Sequence, residues 1–250
     1  MAGHSKWANI KHKKAATDAK RGKVWSKLSK AIMVAAKSGS DPAVNIRLRT
    51  LIADARAVSM PKDNIERAVK KGSGEQGGVN FEEIIYEGYG PEGVAVMCDI
   101  LTDNRNRTAP ELRKIFEKGG GKMGATGCVG YLFERKGLFL IDKDKVDEEN
   151  LMEVAMEAGA EDIATTDDGF EVTCDPDVYS DVCDAFENAE IECVSNSVTR
   201  IPSNTVDLDV ENGKKVLKLI ETLDDHDDVQ SVSSNFNISD ETMAAIEAEG

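Results

Sequence analysis

Between residues 18 and 72 the apolar positions recur at helical spacing. Val24, Leu28, Ala31, Ile32 and Ala35 share one arc of a helix predicted over residues 18–38. Lys20, Lys23, Lys27, Lys30 and Lys37 occupy the neighbouring arc, so a lysine stripe runs beside the apolar face. Gly39 ends this helix. A second helix is predicted over 42–57, with Asp41 as its cap and Ile46, Leu48, Leu51, Ile52 and Ala55 as its apolar positions. A third follows Met60-Pro61, turns Ile65, Ala68 and Val69 inward, and stops at Gly72. Three such helices make a small bundle. The glycine-rich run 72–78 reads as a linker.

Beyond the linker the period falls from 3.6 to 2. Strands are predicted over 81–89 and 94–102, joined by the turn Gly90-Pro91-Glu92-Gly93. A helix over 110–118, capped by Asn106 or Thr108, and strands over 128–133 and 138–141 come next. Helix 147–158, strands 161–166 and 170–174, helix 177–188 and strand 191–199 then give the order β-α-β-β-α-β from 138 onward. The last elements are a strand at 205–210, a helix at 212–223 and a strand at 229–236. They are too few for a core of their own and pair naturally with the β-β-α-β unit at 81–133. The expected fold class is α+β multidomain: an N-terminal three-helix bundle plus two α/β domains, the last ferredoxin-like and inserted into the middle one. The expected boundaries are 1–78 for the basic helical domain, 79–133 plus 202–238 for the middle domain, and 134–201 for the insert. Residues 239–250 form a frayed helical tail.

Charge turns this architecture toward function. Met1 to Lys71 carries 17 Lys+Arg against 5 Asp+Glu, whereas the remaining chain carries 14 against 41, for a net charge of −15. A basic head on an acidic body points to a polyanion at one end only. No run approaches the ~20 apolar residues of a membrane span, and Met1 to Asn9 has no apolar signal core. The expectation is a cytoplasmic protein with no membrane partner. Cys98, Cys128, Cys174, Cys183 and Cys193 are scattered without a C-x-x-C pair, so they read as reduced, mostly buried residues.

Within the head, Lys6, Trp7, Lys11, His12, Lys13 and Lys14 combine lysines for phosphates with an aromatic face for an unpaired base. Lys20, Arg21 and Lys23 carry the charge toward the stripe of Lys27 and Lys30. Arg105 and Arg107, in a polar strand-to-helix turn, are candidates for a second phosphate contact. Together these thirteen residues are the expected nucleic-acid-binding set.

Two other motifs carry less. Gly119 to Gly124 spells G-x-G-x-x-G, but it follows a helix and leads to a strand, the reverse of a dinucleotide fingerprint, and reads as a helix-to-strand loop. Asp224-Asp225-His226-Asp227-Asp228 lacks the spaced ligands and glycine bend of a calcium loop and reads as a solvated turn. With only three histidines, and no nucleophile, paired-carboxylate or metal spacing, the chain is expected to be no enzyme and to use no cofactor, metal or small-molecule substrate.

The opening Met1-Ala2-Gly3-His4-Ser5-Lys6-Trp7-Ala8-Asn9-Ile10-Lys11-His12-Lys13-Lys14 resembles the signature of the YebC/PmpR family. So do Asp18 to Lys23, Met60 to Ala68 and Tyr86 to Pro91. That resemblance implies three domains, the last inserted in the middle one, and a cytoplasmic, non-enzymatic regulator of gene expression. It implies DNA-binding transcriptional regulation. The alternative it carries is a translation factor that binds ribosomal RNA and relieves stalling on proline-rich stretches, since the family includes a mitochondrial translational activator of cytochrome oxidase. Lys6, Lys11, Lys13, Lys14, Lys20 and Arg21 fall on the family's signature positions. Gly121-Lys122-Met123-Gly124 departs from the Gly-Asn-Leu-Gly loop expected there. Oligomeric state has no signature in the chain.

Overall fold

The computed structural model describes residues 21–74, 80–166 and 168–248. Helices α1 (Arg21–Ala36), α2 (Ile46–Ala57) and α3 (Lys62–Gly72) form the bundle. Ile32, Ala35, Leu48, Ile52, Ala55, Ile65 and Ala68 make its core, whereas Ile46, expected on the apolar face of the second helix, is exposed in its first turn, and Val24 and Ala31 lie outside this core. The second helix starts later than expected, because Asn45 caps it and Asp41 does not. The Asn45 Oδ1 accepts from Leu48 N at 3.0 Å, while its amide donates to the carbonyls of Ala35 and Gly39, both at 2.8 Å. One side chain thus starts α2 and closes the end of α1. Asp41 instead caps a turn, accepting from Ala43 N at 2.9 Å.

The middle unit is a four-stranded sheet in the order β3-β1-β2-β9. Its strands are β1 (Glu82–Tyr89), β2 (Ala95–Thr102), β3 (Lys122–Met123) and β9 (Val229–Ser234). Helices α4 (Arg105–Lys118) and α7 (Val210–Asp224) cover one face, burying Leu112, Phe116, Val216, Leu219 and Leu223 against Val96, Cys98 and Ile100. Asn104 caps α4 through Arg107 N, so the helix begins before both expected caps, Asn106 and Thr108. Short strands β8 (Val206–Asp207) and β10 (Phe236–Asn237) pair in parallel beside this unit. Helix α8 (Asp240–Ala248) is more than a frayed end: Met243 is buried in the middle core and Ile246 packs against it.

The insert comprises β4 (Phe133–Asp142), α5 (Glu148–Glu157), β5 (Ala160–Thr165), β6 (Gly169–Cys174), α6 (Tyr179–Asn188) and β7 (Cys193–Pro202). Its antiparallel sheet runs β5-β6-β4-β7, the ferredoxin-like strand order. Phe139 stacks on Tyr179 and meets Phe186 edge-on in its core.

The strand expected at 128–133 is absent. Gly127, Val129 and Gly130 donate their N–H groups to the carboxylate of Glu87 on β1, at 2.7, 2.8 and 2.8 Å. Those donors are no longer available to a strand ladder, and a 3-10 turn at Gly130–Leu132 leads into β4. Burial alone would raise the Glu87 pKa. The three N–H groups and the charge of Arg200 outweigh it and hold the carboxyl below its ordinary value.

Candidate nucleic-acid interface

Packing sorts the cations of the bundle into two faces. On α1, Lys23, Lys27 and Lys30 lie at i, i+4 and i+7 and reach the turn between α7 and β9, which is the acidic run 224–228. Lys23 Nζ donates to the Asp225 carbonyl at 3.0 Å. Lys27 Nζ donates to the Asp224 carbonyl at 2.6 Å and its carboxylate at 3.1 Å. Lys30 Nζ donates to the Asp227 carbonyl at 2.7 Å and to Asp228 Oδ1 at 3.0 Å. The acidic run is therefore a lysine receptor and not the solvated turn expected from its composition. A helix C-terminus adds its own negative partial charge to that receptor.

Asp228 is the centre of this joint. Its side chain is 4% exposed. Besides Lys30 it accepts from Arg107 at 2.7 Å, Thr108 at 2.8 Å and Thr102 at 3.1 Å. Burial alone would raise its pKa. The hydrogen bonds from Arg107, Lys30 and Thr108 outweigh that and hold the carboxyl well below the carboxylate range. Arg107, one of the expected phosphate contacts, is thus paired with both Asp228 and Asp103. Arg105, two residues earlier on α4, is exposed and makes no ion pair among the described residues.

The other face of the bundle is open. Arg49 and Arg56 on α2, and Arg67, Lys70 and Lys71 on α3, are exposed and make no ion pair among the described residues. These five cations were not singled out from the sequence, although Arg67, Lys70 and Lys71 fall at i, i+3 and i+4. Of the expected set, Lys6, Trp7, Lys11, His12, Lys13, Lys14 and Lys20 lie outside the described residues, as does the side chain of Arg21. The structure brings Lys23, Lys27, Lys30 and Arg107 together, and does so around carboxylates.

Among the described residues no group of three or more metal-ligating side chains is present. Burial pushes the Cys174 thiol up to about 11 and the Cys193 thiol up to about 12, so neither supplies a thiolate at neutral pH. No described helix is long and apolar enough to cross a membrane.

Comparison with known proteins completes the picture. Residues 5–75 match the model of the TACO1/YebC protein N-terminal domain, and residues 81–236 match that of the TACO1/YebC second and third domain. A probable transcriptional regulatory protein of Rhodopirellula baltica is 59% identical over 246 residues, covering 98% of this chain and 100% of that one. One from Natranaerobius thermophilus is 56% identical over 247 residues, covering 97% and 99%. The crystal structure of a conserved hypothetical protein from Aquifex aeolicus superposes with a TM-score of 0.79 at 46% identity, covering 90% of this chain and 93% of that one.

Proposed function

The chain belongs to the TACO1/YebC family, and from that premise we propose that it is a non-enzymatic, nucleic-acid-binding regulator of gene expression that docks through its basic N-terminal domain. The observation that carries this reading is the division of cations within the bundle. Lys23, Lys27 and Lys30 join the head to the body, and Arg49, Arg56, Arg67, Lys70 and Lys71 stay in solvent. Exposed cations on a domain whose neighbours are acidic attract phosphates and orient the protein, head first, toward them. Lys6, Lys11, Lys13 and Lys14, with Trp7 and His12, belong to the same domain in sequence, and the four lysines add to its positive charge. Relatives named as transcriptional regulators support DNA as the target and a regulatory, non-catalytic role.

A second reading is supported by the body. A chain with 41 acidic residues after Lys71 suits a crevice whose walls are basic proteins and whose floor is RNA. On that reading the head binds ribosomal RNA and the protein acts in translation.

Co-sedimentation with ribosomes at near-physiological salt, with excess duplex DNA as competitor, separates the two. DNA-directed function predicts that the competitor strips the protein from the pellet. Retention despite the competitor, lost in the K11E/K13E/K14E variant, would assign the head to ribosomal RNA.

A further inference from the structure

A groove of about 1660 Å³ runs along α4 and α7, from Phe81 and Lys30 at the head to Gly119 and Gly120 at the far end. Its two ends differ in charge. Near the head, Lys23, Lys30 and Arg107 are already matched by Asp225 and Asp228. Further along, Lys114 and Lys118 on α4 face Lys218 on α7 across a floor of Ile115 and Leu219. These three lysines are exposed and make no ion pair among the described residues. Two acids near them are paired: Glu111 bonds His226 at 2.9 Å, and Glu211 holds Lys215 at 2.7 Å, while Asp227 lies at the head end of the groove.

The sequence explains how α4 presents its lysines and approaches α7. Lys114 and Lys118 are one helical turn apart, so they share a face of α4. The helix ends in a Schellman turn, with Gly121 N donating to the Phe116 carbonyl at 2.8 Å and Gly120 N to that of Glu117 at 3.2 Å. Gly120 takes the left-handed φ of 76°. A Cβ on Gly119 would stand 2.7 Å from Leu219 Cδ1, so glycine there is what lets α4 close on α7.

We propose that this groove is a second nucleic-acid surface, which takes an unpaired strand leading away from the head. The proposal rests on the nucleic-acid reading above and adds a path, a strand state and residues on the middle domain. Phosphates lie against Lys114, Lys118 and Lys218, and a base meets the half-buried Phe81 at the head end, where the Lys30 ammonium stands 6.0 Å from the ring centroid. A lysine-walled concavity receives one flexible strand. A duplex presents its own grooves to a protruding element and would press its denser charge on Asp225 and Asp227.

The test is fluorescence anisotropy of full-length protein with a labelled single-stranded oligouridine and a duplex of equal length, over a salt series. The groove variant K118E/K218E is compared with K143E/K145E, an equal charge change on the insert, and with the head variant K11E/K13E/K14E. F81L is measured alongside, and circular dichroism verifies that each variant is folded. The groove variant is expected to bind the strand about tenfold more weakly and to flatten the log–log salt slope by about 1.4, the share of two lysines. F81L is expected to weaken strand binding about fivefold or more. If K118E/K218E matches K143E/K145E while the head variant loses binding, the groove proposal is overturned and the head reading stands. If wild type binds neither probe, both are overturned. Tighter binding of the duplex than of the strand overturns the strand assignment.

Discussion

Replacing Asp228 by Asn keeps the volume of the side chain and removes the charge on which the head–body joint converges. Two of its four hydrogen bonds come from cations, Lys30 at 3.0 Å and Arg107 at 2.7 Å. The other two come from the hydroxyls of Thr108 and Thr102. Bonds to buried charges contribute roughly 1.5–3 kcal/mol each, and the half-exposed Arg107 lies at the low end of that range. The new amide also sets an N–H against donors. The expected loss is about 2–4 kcal/mol. Urea titration followed by tryptophan fluorescence is a suitable assay, because both tryptophans, Trp7 and Trp25, lie in the head. The pH dependence is a second check. The folded carboxyl is held below its ordinary pKa, so its stabilisation is fully present above the unfolded value of about 3.9 and is lost as pH falls through the folded pKa. The gap between wild type and D228N should be constant between about pH 5 and pH 7 and should shrink below about pH 4. A variant within about 0.5 kcal/mol of wild type at neutral pH, or a gap that persists in acid, would refute the reasoning.

Other substitutions probe other parts of the same frame. Gly121→Ala places a Cβ against the Tyr89 carbonyl and is expected to cost about 1–3 kcal/mol, read as a lowered midpoint in thermal unfolding. Glu87→Gln weakens the clamp on Gly127, Val129 and Gly130, and faster protease cleavage within 124–132 is the expected result. Phe186→Ala empties a core position under Phe139 and should destabilise the insert by about 3–5 kcal/mol, with loss of hydrogen-exchange protection in β4 and β6 while the bundle is unchanged.

The elements that the chain declares locally are those whose partners are close in sequence. The apolar arc of α1 states a buried face within one window, and the nearly continuous apolar run of β2 states a strand buried on both sides. The order β-α-β-β-α-β was readable for the same reason, and the sheet order followed. What was not legible lies far apart along the chain. The strand expected at 128–133 was lost to Glu87, some 40 residues away. The lysine stripe was visible on a helical wheel, but its receptor is 197 residues downstream from Lys27. Charge composition could not sort the head's cations into those spent on Asp224 to Asp228 and those left in solvent. That sorting moved weight from Lys23, Lys27, Lys30 and Arg107 to Arg67, Lys70 and Lys71. The glycine run 119–121 was legible as a loop, whereas the close approach to Leu219 that requires it was not.

The most direct test of the central claim is the salt dependence of nucleic-acid affinity for the wild-type chain and for K11E/K13E/K14E. A basic head that neutralises five to eight phosphates predicts a log–log slope of about −4 to −7, with binding abolished in the variant and its fold intact. A flat salt response, or an unchanged affinity in the variant, would contradict the account.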